Sequence, residues 1–212
     1  MKRITQIIGY VLSLLLIPTI IDIIHSIKIN LYTGFYKNRF ERFGIGTVIV
    51  PSARMLEGLK YISVGKHCII GSNIQLTAYD QYISGQRFNP SIIIHDNVEI
   101  GDGSHITCIN KIEIGNNVLT GRYVLITDNS HGSKSFDQLS TPPVLRLMKS
   151  KGAIIIEDNV WIGEKATITA GVTIGANSII GANCVITKDV PPYSLAVGSP
   201  ARYISLDNKK NI

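Results

Sequence analysis

The stretch IIIEDNVWIGEKATITAGVTIGANSIIGANCVITKDV, residues 154–190, decides the fold because one pattern of six residues runs through it. Each copy begins with an aliphatic residue followed by a glycine or a polar residue, and its fifth residue is small or β-branched. The aliphatic positions are Ile156, Ile162, Ile168, Ile174, Ile180 and Ile186, and the fifth positions are Val160, Ala166, Val172, Ser178, Cys184 and Val190. Short internal repeats of this kind are typical of solenoids.

The same pattern extends through most of the preceding chain. Its first positions there are Val64, Ile70, Ile94, Ile100, Ile106, Ile114, Thr120 and Ile126, with a looser copy at Ile45. The step from Ile106 to Ile114 is eight residues instead of six.

A period of six with two apolar positions suits a short strand that ends in a tight turn. The first and fifth residues face the same side because strand side chains alternate, and we expect the glycine after the aliphatic residue to permit the bend. Three copies then make one triangular coil, and parallel coils stack at about 4.8 Å, which predicts roughly eight coils and a prism about 38 Å long. The predicted fold class is all-β, a parallel β-solenoid.

Two excursions interrupt the repeat, at residues 77–91 and 132–153. Ile126 and Ile156 are 30 residues apart, a whole number of repeats, so the chain rejoins the pattern in phase. Long loops inside a compact fold are usually functional or disordered. The second excursion therefore directs attention to His131, where the regular pattern stops.

The amino-terminal residues do not carry the repeat. We divide the chain into an apolar, amphipathic helical segment at 1–44, the repeat domain at 45–190 and a carboxy-terminal tail at 191–212. Within the apolar stretch 7–24, Pro18 and Asp22 count against a plain membrane-spanning helix. Mixed aromatic and basic residues follow it and suit a headgroup region. We expect peripheral membrane contact through residues 4–43, with a single span or packing against a partner subunit as the alternatives.

Composition excludes several classes of protein. The chain has 212 residues, 45% of them hydrophobic, which argues against disorder. Its net charge of +6 is scattered, and the early basic residues flank the apolar stretch, which favours an anionic membrane surface over a nucleic acid. Three cysteines without a CxxC spacing argue against a disulfide framework or a zinc site. We expect a cytoplasmic protein at the inner face of the cytoplasmic membrane.

The repeat resembles that of the hexapeptide-repeat acyltransferases, which fold as a left-handed parallel β-helix. Residues 154–204 are similar to the galactoside, maltose and serine acetyltransferases, and VLITDNSHG, residues 124–132, is similar to the O-acetyltransferases of exopolysaccharide and O-antigen synthesis, such as colanic acid acetyltransferase. This resemblance implies a left-handed coil, a homotrimer with active sites between subunits, and transfer of an acetyl group from acetyl-CoA to a glycan or lipid-linked saccharide. It implies no metal.

The resemblance also suggests roles for individual residues. His131 matches the catalytic histidine, and a histidine suits the task of general base toward a sugar hydroxyl. Asp128 or Asn129, or a main-chain carbonyl, would orient its ring, although both residues also suit a simple turn. His105 is a candidate for contacting the acceptor.

On the donor side, the resemblance places five residues near the coenzyme. Trp161 matches a tryptophan beside the pantetheine, and Lys188 and Arg202 match cationic positions near the phosphates, with which such groups pair well. Ala182 and Thr187 match positions whose backbone approaches the coenzyme.

Three other functions remain open from the sequence. The first is acetylation of a small molecule such as serine or an antibiotic. The second is a non-enzymatic solenoid scaffold, which would not need the second excursion. The third is a carbonic anhydrase on the same fold, which needs three histidines on one zinc; we expect His105 and His131 to lie at different corners, which argues against it.

Overall fold

The computed structural model describes residues 2–15, 18–82, 85–133 and 135–206. Two helices, α1 (Lys2–Leu15) and α2 (Pro18–Lys37), precede the strands, and short 3-10 turns lie at Leu59–Tyr61, Phe136–Gln138 and Pro143–Leu145. In chain order the strands of these residues are β1 (Arg42–Phe43), β2 (Val48–Ile49), β3 (Met55–Glu57), β4 (Ile62–Val64), β5 (Ile69–Ile70), β6 (Gln75–Ala78), β7 (Ser91–Ile94), β8 (Glu99–Ile100), β9 (His105–Cys108), β10 (Lys111–Ile114), β11 (Leu119–Thr120), β12 (Leu125–Thr127), β13 (Ser130–His131), β14 (Met148–Lys149), β15 (Ile154–Ile156), β16 (Trp161–Ile162), β17 (Thr167–Thr169), β18 (Thr173–Ile174), β19 (Ile179–Ile180), β20 (Val185–Ile186), β21 (Ser194–Gly198) and β22 (Ala201–Ser205).

Three parallel sheets form the walls of a prism. The first contains β1, β4, β7, β10, β15 and β18, the second β2, β5, β8, β11, β16 and β19, and the third β3, β6, β9, β12, β17 and β20. Successive coils pair one turn apart, as when Trp161 lies beside Ile179, 18 residues later. The predicted fold class, a left-handed parallel β-helix with an amino-terminal helical segment, is confirmed.

The prism is shorter than we predicted. Each wall holds six strands from the regular repeat, so the prediction of roughly eight coils is wrong. The reason is that both excursions add residues to the chain without adding a turn to the stack. The first excursion also begins later than expected, because β6 continues to Ala78 and β7 starts at Ser91.

The two apolar positions of each repeat fill the interior. The first-position side chains from Ile94 to Ile186 are buried almost completely, and so are the fifth-position side chains Cys68, Ile74, Val98, Ser104, Val118, Val124, Val160, Ala166, Val172, Ser178, Cys184 and Val190. Ser130, at the fifth position before the second excursion, is exposed. Burying one such aliphatic side chain stabilises a fold by about 1.5–3 kcal/mol. The core is therefore one continuous column of aliphatic side chains along the axis of the prism.

The glycines after the aliphatic residues have a different role from the one we predicted. The left-handed backbone conformation at the corners belongs to the fourth residue of the repeat, as at Asn117 and Asn159, whose φ angles are 57° and 59°. At Gly121 and Gly163, a Cβ atom would lie 2.5 Å from a backbone nitrogen of the next coil. These glycines therefore allow close stacking of the corners, while asparagine tolerates the bend itself.

The second half of α2 packs on the first coil. The Ile49 N–H donates to Thr33 Oγ1 at 2.9 Å, and Tyr32 and Tyr36 pack against the core. By contrast, α1 and the first half of α2 expose apolar side chains, among them Ile4, Ile7, Ile8, Val11, Ile20, Ile23, Ile24 and Ile27. No helix of the described residues combines the length and the apolar character needed to cross a membrane.

The predicted tail at 191–212 contains two strands, and its residues 207–212 lie outside the described residues. Strands β21 and β22 form an antiparallel hairpin, and β21 pairs with β19, so that both extend the second sheet. The tight connection between Gly198 and Ala201 reverses the chain. The prediction of a tail beginning at residue 191 missed this hairpin because its sequence does not follow the six-residue pattern.

Candidate active site

His131 lies on a short hairpin outside the prism. Strands β13 and β14 pair in antiparallel fashion, with His131 opposite Met148, and the Gly132 N–H donates to the Leu147 carbonyl at 2.9 Å. The hairpin follows β12 of the third sheet directly, so the second excursion begins by turning the histidine away from the wall. The His131 side chain is exposed to solvent.

The first excursion contacts this hairpin at two points. The Tyr82 hydroxyl lies 3.3 Å from Nδ1 of His131, with the two rings edge to face at 5.5 Å between centroids. Gln86 binds the backbone of Met148 with both ends of its amide: Met148 N–H donates to Oε1 at 2.6 Å, and Nε2 donates to the carbonyl at 3.2 Å. The two excursions are thus joined at the histidine.

A pocket of about 670 Å³ lies between the two excursions and the third sheet. Three aromatic rings of the first excursion and two threonine hydroxyls of the third sheet contribute to its lining. Its residues include Tyr79, Tyr82, Phe88, Glu57, Gln81, Thr107, Thr127, Asn129, His105 and His131. No lysine or arginine is found among the described residues that line it.

His105 and His131 both line this one pocket, although His105 begins β9 and His131 lies beyond the end of β12, at the other end of the third sheet. His105 is on β9 of the third sheet, and β12, which leads into the His131 hairpin, is its neighbour in that sheet. Partial burial lowers the pKa of His105, which favours the neutral imidazole. In the described parts of the chain, no group of three or more His, Cys, Asp or Glu side chains is arranged to hold a metal ion.

Asp128 lies inside the protein and faces a corner of the preceding coil. Its carboxylate accepts hydrogen bonds from the Ile109 and Asn110 N–H groups at 2.9 and 2.7 Å, and the Cys108 thiol lies 3.2 Å from Oδ2. Asn129 donates to the Thr107 carbonyl at 3.2 Å. Neither side chain makes a hydrogen bond to His131 within the described structure. The structure therefore shows no direct contact through which Asp128 or Asn129 could orient the imidazole ring.

The cysteines are buried in the core. Burial raises the pKa of the Cys68 and Cys184 thiols. Burial also raises the pKa of Cys108, and the charge of Asp128 raises it further. All three are therefore held as neutral thiols at neutral pH, a form that is unsuited to a nucleophile.

Three of the five predicted donor residues meet at the carboxy-terminal end of the prism. Thr187, Lys188 and Arg202 line a pocket of about 290 Å³ together with Asp189 and Tyr203. The hairpin of β21 and β22 brings Arg202 to the end of the third sheet, where Thr187 and Lys188 follow β20. Lys188 and Arg202 are exposed, so their cationic groups are accessible to a ligand.

The other two donor residues lie on a different wall. Trp161 is on β16 of the second sheet, between Leu119 and Ile179, with 52% of its surface exposed. It lines a groove of about 560 Å³ with Leu119, Arg122 and Glu164. Ala182 follows β19 on the same sheet and stacks on the corner at Gly163. Within one chain, Trp161 and His131 therefore belong to separate depressions.

Sequence reasoning missed Tyr82 and Gln86. The aromatic and polar character of the first excursion is the signal that could have drawn attention to them. Their contacts with His131 and Met148 join residues 49 and 62 positions apart, which no periodic pattern predicts.

Comparisons with known proteins agree with this architecture. Residues 153–188 match the family described as bacterial transferase hexapeptide (six repeats). The chain is 33% identical over 151 residues to the putative lipopolysaccharide biosynthesis O-acetyl transferase WbbJ of Escherichia coli (strain K12), covering 69% of this chain and 72% of that protein.

Two solved structures share the fold. A maltose O-acetyltransferase from Clostridium difficile 630 is 33% identical with a TM-score of 0.54, and the match covers 69% of this chain and 70% of that one. AntD, an N-acyltransferase from Bacillus cereus, solved as the S84A mutant with dTDP-4-amino-4,6-dideoxyglucose and coenzyme A, matches with a TM-score of 0.68 at 19% identity, covering 84% and 90%.

Proposed function

Because the chain belongs to the family of hexapeptide-repeat bacterial transferases, we propose that it transfers an acetyl group from acetyl-CoA to a sugar hydroxyl, with His131 as general base. The predicted family and the predicted acyltransferase class are both confirmed. The proposed process is the synthesis of a capsular polysaccharide, an exopolysaccharide or an O-antigen, and the relative named for lipopolysaccharide biosynthesis supports it. The observation that carries the proposal is the exposed His131 in a pocket walled by aromatic and polar side chains.

The chemistry needs a base because a sugar hydroxyl is a poor nucleophile at neutral pH. In the proposed reaction the hydroxyl oxygen attacks the thioester carbonyl while its proton passes to His131. The tetrahedral intermediate then collapses, the C–S bond breaks, and the imidazolium returns the proton to the leaving thiolate of coenzyme A. A positioned base of this kind contributes a factor of about 10²–10⁴ to the rate.

The pocket has the character of an acceptor site for a sugar. Aromatic faces such as those of Tyr79 and Phe88 suit the C–H faces of a sugar ring, while Thr107 and Asn129 offer hydrogen bonds to hydroxyls. His105, held neutral, retains one donor and one acceptor nitrogen for the same purpose.

The donor is proposed to bind where its phosphates meet Lys188 and Arg202. Both cations are exposed beside Thr187, and guanidinium and ammonium groups pair strongly with phosphate. Trp161 and Ala182 line the other wall and are proposed to flank the pantetheine arm.

A homotrimer is proposed to unite the two parts of the site. The outward side chains of the second sheet form a mostly apolar row of Ile69, Leu119, Trp161 and Ile179, with Glu99 between Ile69 and Leu119. Burial of such a row against another copy would bring the tryptophan of one chain toward the His131 pocket of the next. Apolar rows of this size on a surface commonly mark contacts between proteins.

The amino-terminal helices are proposed to rest on the inner face of the cytoplasmic membrane. Their exposed isoleucines form an apolar stripe, and Lys2, Arg3 and Lys28 lie along the same segment. Basic amphipathic helices of this kind bind anionic bilayers in the interface plane. A lipid-linked saccharide would then be presented close to the active site.

A direct assay tests the proposed reaction. Purified protein is incubated with acetyl-CoA and oligosaccharide repeat units, and thiol release and acetylated product are measured together. Formation of an O-acetyl sugar at the rate of thiol release would support the proposal. Transfer only to small amino acids or antibiotics, or no binding of acetyl-CoA at millimolar concentration by calorimetry, would contradict it.

A further inference from the structure

We propose that Tyr82 is a positioning residue for the base: its phenol oxygen accepts a hydrogen bond from Nδ1–H of His131 and so keeps Nε2 free to take a proton. The inference rests on the proposed function, because it concerns the histidine that we assign as base. It adds a residue from the first excursion to a site that sequence reasoning placed at the second.

The geometry around the imidazole leads to Tyr82. Its hydroxyl oxygen is 3.3 Å from Nδ1, and its ring meets the imidazole at an interplanar angle of 65°. No other hydrogen bond to the His131 ring is made by the described residues. Asp128 and Asn129, three and two residues before His131, direct their polar atoms to the corner at residues 107–110 instead.

The tautomer of the ring depends on this one contact. A neutral imidazole carries its proton on one nitrogen only, and the hydrogen bond made by one nitrogen decides which form is favoured. If Nδ1 donates to Tyr82, the lone pair of Nε2 is available to the sugar hydroxyl. When Nε2 takes the proton, the ring becomes cationic, and its Nδ1–H bond to the phenol becomes a charge-assisted one. The contact therefore strengthens as the proton is transferred.

The surrounding loop holds Tyr82 in place. The Tyr82 N–H donates to the Gln86 carbonyl at 3.0 Å, and the Gln86 amide binds the backbone of Met148, the residue opposite His131. At the start of the loop, the Tyr61 hydroxyl donates to Asp80 at 2.6 Å. The base and its positioning residue thus sit on two segments that are fastened to each other.

The test compares Tyr82→Phe with Tyr61→Phe, which removes a phenol hydrogen bond from the same loop without touching the imidazole. Each protein is labelled with ¹⁵N in its histidine rings, and the His131 signals are assigned from their loss in His131→Gln. Spectra at a pH about two units above the ordinary histidine pKa of about 6.5 report the tautomer of the neutral ring. Steady-state kinetics on the same proteins give kcat and both KM values.

We expect Tyr82→Phe to shift His131 toward the Nε2–H tautomer and to lower kcat about fivefold to twentyfold, with both KM values within about twofold. We expect the tautomer ratio in Tyr61→Phe to match that of the unmodified protein. An unchanged tautomer ratio in Tyr82→Phe would overturn the inference, whatever the rate of acetyl transfer. The inference would also be overturned if the ratio shifted but kcat stayed the same, provided that His131→Gln is inactive.

The spectra can be recorded without acetyl-CoA and without a sugar. They therefore test the position of the His131 proton independently of the proposed function. Full turnover by His131→Gln would remove the base assignment, and the kinetic role of Tyr82 with it, even if the tautomer had shifted.

Discussion

Asp128 accepts a hydrogen bond from the backbone of Asn110, with 2.7 Å between the Asn110 nitrogen and Oδ2. This contact explains the eight-residue step between Ile106 and Ile114. The two additional residues widen one corner of the coil, and the buried carboxylate replaces the hydrogen bonds that a regular corner would make with its neighbour. Ile109, whose N–H donates to Oδ1 at 2.9 Å, lines the His131 pocket at this corner.

Removal of the Asp128 carboxylate should destabilise the protein. In Asp128→Ala the Ile109 and Asn110 N–H groups lose their partner inside the protein, at a cost of about 2–4 kcal/mol in the free energy of unfolding. Thermal unfolding at a fixed protein concentration measures the effect. Asp158→Ala is the matched control, because Asp158 accepts the Asn116 N–H at 2.7 Å in a solvent-exposed corner. Equal losses of stability in both variants would show that burial of Asp128 is unimportant.

Replacing His131 should affect turnover and leave donor binding intact. We expect His131→Gln to lower the rate of acetyl transfer by about 10²–10⁴-fold, with the affinity for acetyl-CoA measured by calorimetry unchanged within about twofold. His105→Gln, in the same pocket, should mainly raise the KM for the acceptor by about threefold to tenfold, since it removes a binding contact. A greater loss of kcat in His105→Gln than in His131→Gln would indicate that His105 is the base and that His131 contacts the acceptor.

Arg202 should contribute to binding of the coenzyme phosphates. Loss of a charge-assisted hydrogen bond worth about 1.5–3 kcal/mol predicts that Arg202→Ala weakens binding of coenzyme A by about 10- to 100-fold. The exposed Arg54, on the loop that precedes β3 in the first coil, provides a control of equal charge. Calorimetry with coenzyme A and dephospho-coenzyme A would also show whether Arg202 meets the ribose phosphate. Equal affinity in Arg202→Ala and Arg54→Ala would exclude the carboxy-terminal pocket as the phosphate site.

The helix α1 should bind anionic vesicles through its apolar stripe. We expect Ile7→Asp combined with Val11→Asp to abolish co-sedimentation with vesicles that contain phosphatidylglycerol. Each change removes apolar surface that would insert into the bilayer, where burial is worth about 0.8 kcal/mol per CH₂.

The control for this experiment is Gln6→Asp combined with Ser13→Asp, which changes the charge equally on the polar face. It should weaken sedimentation only in part. Identical losses of binding in the two double variants would mean that charge alone attracts the helix, and retention of binding by both would exclude the apolar stripe of α1 as the contact. Absence of binding by the unmodified protein would remove the membrane from the proposal.

The fold was predictable because its information is local and repeated. A six-residue pattern indicates which side chains point inward, and Ile162, Val172 and Cys184 are buried as that pattern predicts. The position of His131 at the exit from the third sheet followed from the same register. The prediction that the second-position glycines permit the bend was wrong. A glycine there can allow either a bend of its own backbone or the close approach of a neighbouring coil, and only the contact with the stacked neighbour, as at Gly121, distinguishes the two.

The contacts that complete the site were beyond the reach of periodicity. Tyr82 meets His131, and Gln86 meets Met148, through loops whose paths depend on each other rather than on the repeat. Arg202 arrives beside Lys188 only because the chain reverses at Gly198, outside the hexapeptide pattern. Long-range pairing of irregular segments is thus the part that the repeat does not determine.

The hydrogen bond between Thr33 and Ile49 and the reversal of direction at β22 limit the length of the stack. A parallel solenoid presents the same unpaired backbone groups at both ends, and each end is a template on which another molecule's strands can add. Here a helix covers part of the first coil, while an antiparallel strand closes one wall of the last. Both terminal structures therefore remove part of the surface on which a second molecule could add its strands, and we expect loss of either one to promote end-to-end aggregation.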